Sequence, residues 1–96
     1  MNNDDISLLI QSLGAQILDS RQDPTSAVAI MITETTRFRD MLKKDAGVTL
    51  TVADVRVALD ALERYLDTHQ LPSSLSSEQL ALAQLYIDRL TLFKRV

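Results

Sequence analysis

The stretch that decides the fold is LTVADVRVALDALERYL, which runs from Leu50 to Leu66. Its apolar residues recur three and four positions apart, a spacing that places them on one face of an α-helix. Thr51 and Asp54 stand where a capping box holds the start of a helix, and Pro72 keeps Leu71 out of the helical region. The sequence therefore predicts a helix over about residues 52–69. Its buried face is predicted to contain Val52, Val55, Leu59, Leu62 and Leu66.

Three other segments show the same helical spacing, and they are predicted to form helices over about residues 4–20, 24–45 and 77–95. The second begins at Asp23-Pro24, a favoured cap followed by proline in the first turn, and it ends before Gly47. Ser76 and Gln79 form a second predicted capping box, at the start of the last helix. The predicted faces of the first two helices are Ile6, Ile10, Leu13 and Ile17, then Val28, Met31, Thr35, Phe38 and Leu42.

Two local features leave alternatives open. The β-branched residues in the sequence IMIT at positions 30–33 are also compatible with a strand. Gly14, inside the first helix, is either a surface glycine or the site of a close crossing between two helices.

The connections between the four segments are short, which favours antiparallel neighbours. A chain of 96 residues is the size of one domain. The prediction is therefore a single all-α domain over residues 1–96, a small antiparallel four-helix bundle.

The residues that usually carry chemistry are sparse in this chain. It has no cysteine, two glycines and one histidine, His69, so thiolate sites and glycine-rich phosphate loops are not expected. Asp60, Glu63 and Asp67 share a helical face, but a hard cation needs more oxygen ligands in a shaped loop. We expect no enzyme activity, no metal and no cofactor.

The start of the chain is acidic, and the longest apolar run covers only residues 27–32. A secretory signal would be basic there, and a membrane span needs about 20 apolar residues. The expected location is the cytoplasm, without membrane association.

The last helix is apolar on most sides, which is typical of a helix with more than one neighbour. If part of that surface stays exposed, it forms an interface with another protein or with a second copy of the chain. The sequence thus predicts a non-catalytic interaction module, such as an adaptor, a chaperone-like protein or an inhibitory binding protein. The predicted contact residues are Leu82, Leu85, Leu92 and Val96.

The alternative function is a small DNA-binding transcriptional regulator. Basic residues cluster late in the second helix and late in the fourth, and could form a positive patch if the two ends met. The net charge of −3 and the lack of interleaved aromatic residues make nucleic acid the less expected partner. The basic residues concerned are Arg37, Arg39, Lys43, Lys44, Arg89, Lys94 and Arg95.

Overall fold

A computed structural model describes residues 2–18 and 24–94, with side chains described for residues 5–17 and 27–89. The described chain is all-α and contains four helices. Helix α1 consists of Asn2–Leu9, a π-helical turn at Ile10–Gly14 and a last turn at Ala15–Leu18. Helices α2, α3 and α4 span Pro24–Ala46, Val52–Thr68 and Ser77–Lys94.

The predicted fold class is confirmed, and the predicted helix limits lie within two residues of the observed ones wherever the structure describes them. Residues 30–33 lie within α2, so the strand alternative was wrong. Because α2 buries Ala27, Val28, Met31 and Thr35, tertiary contacts outweigh the strand preference of its β-branched residues. The predicted cap at Asp23 lies outside the described residues.

The four helices pack so that α1 and α4 each lie against both α2 and α3. Among the described residues, α1 and α4 do not pack closely on each other, and neither do α2 and α3. The order around the bundle is therefore α1, α2, α4, α3. The short connection after α2 crosses the bundle instead of joining neighbours.

The first turns of α3 and α4 meet at a junction of two capping boxes. Thr51 and Asp54 exchange hydrogen bonds of 3.1 and 3.2 Å, and Ser76 and Gln79 do the same at the same distances. Gln79 Nε2 also donates to Asp54 Oδ1 at 3.0 Å. Partial burial raises the pKa of Asp54, but the hydrogen bonds from Thr51 and Gln79 outweigh it and hold the pKa below its ordinary value of 3.8.

This junction fixes the relative placement of α3 and α4. Because the starts of α3 and α4 lie side by side, these two helices do not form the antiparallel hairpin that the connection length predicted. Helix α2 ends five residues before α3 begins. Helices α2 and α4 meet midway along their lengths, where Thr35 and Tyr86 are in contact.

The core is built mainly from aliphatic residues on the predicted faces. Val55, Leu59 and Leu62 of α3 are fully buried, whereas Val52 is exposed, so its predicted place on the core face was wrong. Val52 occupies the first helical position, at the edge of the bundle. The buried residues of the other helices include Ile6, Ile10, Ile17, Met31, Leu82 and Tyr86.

The π-helical turn of α1 lies where α1 packs against α2. Gly14 is buried there, while Leu13 is only partly buried. A Cβ built on Gly14 would meet side-chain atoms of Val28 at 3.6 Å and of Met31 at 3.7 Å. Gly14 therefore lies at a close helix crossing, as one of the two sequence interpretations expected.

No helix in the described ranges has both the length and the apolar character needed to cross a membrane.

Candidate interaction surface

Helix α4 buries one face and leaves apolar residues partly exposed on both sides of it. Leu82, Ala83 and Tyr86 are fully buried. Leu85 and Ile87 flank them, and both are partly buried against the core. Leu80 is 37% exposed. Helix α4 therefore buries one face against two neighbouring helices, and part of its remaining apolar surface is exposed.

The four predicted contact residues have different environments. Leu82 is completely buried, so it belongs to the core and is not part of an exposed patch. Leu85 is half-buried and reaches the surface. Leu92 lies within α4, but its side chain and the whole of Val96 lie outside the described residues. Partner binding through Leu85, Leu92 and Val96 stays a prediction.

The flank of α4 that carries Leu85 borders α2. A spacing of four residues places Ala81, Leu85 and Arg89 along one side of the helix. Arg89 Nε lies 3.6 Å from Glu34 Oε2 of α2. This distance is too long for a good hydrogen bond, and the buried Nε atom has no hydrogen-bond partner among the described residues. The contact is an ion pair that fixes this flank beside α2.

The matching flank of α2 carries one acidic, one basic and one apolar residue. Glu34, Arg37 and Met41 are three and four residues apart, so they share a side of the helix. Glu34 is only 15% exposed, and it also pairs with Arg37 at 3.9 Å, whose side chain is 75% exposed. Met41 is 48% exposed. Met41 therefore lies one turn beyond Arg37 on the side of α2 that carries Glu34.

These six residues define what we call the two–four surface. It consists of Glu34, Arg37 and Met41 on α2 with Ala81, Leu85 and Arg89 on α4. Three of its six side chains are apolar, and its two arginines lie near one largely buried carboxylate. Such a surface can hold an apolar side chain of a partner and an acidic group beside it.

A buried pair of hydroxyl groups joins α2 to α4 in the core. Thr35 Oγ1 and Tyr86 Oη are 2.6 Å apart, and Thr35 Oγ1 donates to the Met31 carbonyl oxygen at 2.7 Å. Since the single proton of Thr35 is used in that bond, the Tyr86 hydroxyl donates to Thr35. Burial raises the pKa of Tyr86 far above its ordinary value, against the smaller opposing effect of the Thr35 hydrogen bond. The phenol therefore keeps the proton that it donates.

The histidine and the three acidic residues of α3 that share a helical face lie outside the two–four surface. His69 is exposed at the end of α3, where it adopts a left-handed conformation with φ of 61° and donates its backbone N–H to Tyr65. Asp60, Glu63 and Asp67 are exposed. Within the described residues, no three side chains are grouped so that they could hold a metal ion.

Three basic residues of the DNA-binding alternative lie close to carboxylates. Arg39 lies 3.4 Å from Asp40, and both Arg37 and Arg89 lie near Glu34. Lys43 and Lys44 are exposed in the last turn of α2. The side chain of Lys94 and the whole of Arg95 lie outside the described residues.

Comparison of the chain with protein-family models, with curated proteins and with solved structures found no match.

Two features of this surface were missed in the sequence analysis. The Glu34–Arg89 and Thr35–Tyr86 contacts join positions 55 and 51 residues apart, a separation at which no local spacing rule applies. A weak signal was available, because Thr35 is a polar residue on the predicted apolar face of α2. A buried polar residue usually needs a partner on a neighbouring element.

Proposed function

We propose that the chain is a non-catalytic, cytoplasmic protein-interaction module that docks on a partner helix through the two–four surface. The mechanism is helix-in-groove packing, in which an apolar anchor of the partner contacts Leu85 and Met41. An adaptor, a chaperone-like protein or an inhibitory binding protein would all use such a surface.

The observation that supports this proposal is the combination of half-exposed apolar side chains with a fixed charged edge. Met41 of α2 and Leu85 of α4 each present apolar area to solvent. The buried Thr35–Tyr86 pair joins α2 to α4, and the Glu34–Arg89 ion pair links the two helices at their edge. A surface on two helices that are already joined loses little conformational entropy when it binds a partner.

Site-specific photocrosslinking tests the proposal. A photoreactive amino acid replaces Ala81, which is exposed on the two–four surface, and the full chain is expressed and irradiated in its native cells. We expect position 81 to give discrete crosslinks to another polypeptide chain, because a docked helix would lie within reach of it.

The matched control is the same photoreactive amino acid at Ala29, an exposed alanine of α2 outside the two–four surface. Crosslinks at position 81 that do not exceed those at position 29 would contradict the proposal. Mass spectrometry of the crosslinked product then shows whether the partner is a different protein or a second copy of this chain.

A further inference from the structure

We infer that the two–four surface binds helix α1 of a second copy of this chain, with Leu8 as the apolar anchor and Asp5 beside the arginine edge. The inference rests on the proposed function, since it names the partner of the same surface. The supporting observations are an unused apolar residue on α1 and a charge match between α1 and the groove.

Leu8 is an apolar residue of α1 that the monomer leaves exposed. It is 60% exposed, more than any other large apolar side chain in the described part of the chain. It points away from the core face of α1, on which Ile6 and Ile10 are buried. Removing an exposed leucine side chain from water is favourable, so its burial in an interface would stabilise a dimer.

The charges of α1 complement those of the groove. The first twenty residues include Asp4, Asp5 and Asp19 but no lysine or arginine. Asp5 is exposed and lies one turn before Leu8, so an acidic and an apolar group project from neighbouring turns of one helix. The two–four surface offers the matching pair, with exposed apolar area at Met41 and with Arg37 and Arg89 near a single carboxylate.

The contact cannot form within one chain. Helices α1 and α4 do not pack closely on each other in the described residues, and α2 separates them. A second copy can present its α1 to the groove while its own groove receives the first α1. Reciprocal contacts of this kind produce a closed dimer with two-fold symmetry.

Light scattering after size-exclusion chromatography, over a range of concentrations, tests this inference on the full chain. We expect the wild-type chain to form a concentration-dependent dimer. Leu8→Ser should raise the dimer dissociation constant by at least about tenfold, since it removes a buried leucine from each contact. Ala81→Glu should act in the same direction by placing a charge in the groove.

Leu80→Ser is the matched control, because Leu80 is an exposed leucine on the opposite flank of α4. It should leave the dimer unchanged, and circular dichroism of every variant confirms that the helices are retained. A loss of dimer with Leu80→Ser as large as that with Leu8→Ser would overturn the inference.

A charge exchange tests the polar part of the contact separately. Asp5→Arg and Arg37→Glu should each weaken the dimer, and the double variant should restore it by at least a few-fold, because the pair is re-formed with its charges reversed. Failure of the double variant to recover affinity would overturn the assigned pairing.

A wild-type chain that stays monomeric at every concentration would overturn the second-copy inference. Crosslinks from position 81 to a different protein would then leave the proposed function standing. Conversely, a dimer that forms without crosslinks from position 81 would contradict the proposed function and this inference together.

Discussion

Thr35 and Tyr86 show how two polar side chains are kept in an otherwise aliphatic core. Both are fully buried, and their oxygens form a chain from the Tyr86 hydroxyl through Thr35 to the Met31 carbonyl. A buried hydroxyl without a partner would be costly. The pair therefore acts as a unit that specifies how α2 and α4 meet midway along their lengths.

A double-mutant cycle measures this unit. Tyr86→Phe should cost about 0.5–1.5 kcal/mol of unfolding free energy, because Thr35 keeps its bond to Met31. Thr35→Val should cost about 1–3 kcal/mol, because it leaves the Tyr86 hydroxyl buried and unpaired. The double variant should lose less than the sum of the two, and strictly additive losses in urea unfolding would refute the coupling.

At the scale of the element, Gly14 and Gly47 illustrate two different uses of glycine. Gly14 lies in the π turn at the crossing with α2, where an added Cβ would make ordinary contacts. Gly47 follows α2 with φ of +66°, and its backbone N–H donates to the Lys43 carbonyl oxygen. Only Gly47 has a backbone conformation that disfavours other residues.

Substitution by alanine should therefore act in opposite directions at the two sites. Gly14→Ala should stabilise the fold by about 0.4–1 kcal/mol, because it restricts the unfolded chain and its Cβ fits. Gly47→Ala should destabilise it by about 1–2 kcal/mol because of its left-handed conformation. Thermal unfolding gives both values, and a destabilising Gly14→Ala would mean that the crossing is tighter than the structure shows.

The junction of the two capping boxes should make stability depend on pH. The pKa of Asp54 is lowered in the folded chain, so its ionised form stabilises the fold above its ordinary pKa. That contribution is lost as the pH falls through the folded pKa. The difference in stability between wild type and Asp54→Ala should thus be largest near neutral pH and shrink below about pH 4.

Ser76→Ala supplies the control for this measurement. It removes the other box without removing a titratable group, and it should cost about 1 kcal/mol, with little change in that cost between acidic and neutral pH. A difference between wild type and Asp54→Ala that stayed constant on acidification would show that the charge of Asp54 does not stabilise the junction.

At the scale of the whole molecule, Leu62 and Leu85 differ in burial although both lie on apolar helix faces. Leu62 is fully buried in α3, while Leu85 is half-buried beside the two–four surface. Leu62→Ala should cost about 2–5 kcal/mol, and Leu85→Ala should cost clearly less. Chemical unfolding of both variants checks this order, and equal large losses would place Leu85 in the core and remove it from the proposed surface.

The sequence predicted best the interactions that are local. The capping boxes at Thr51 and Ser76 each join residues three positions apart, and both were predicted and confirmed. It was less successful at Val52 and Leu13, which have the right spacing for the core but are exposed or only partly buried. Helical spacing specifies a face within one helix, whereas exposure also depends on the neighbouring helices.

By itself, the sequence determined four helices, their approximate limits, their caps and most of the residues that each one buries. These properties depend on hydrogen bonds and side-chain spacing within a few residues. Only the tertiary structure decided that α3 and α4 start side by side, that Leu82 is core while Leu85 reaches the surface, and that Glu34 meets Arg89. Those features depend on how separate helices share one core, and contacts between distant residues leave no periodic signal in a single chain.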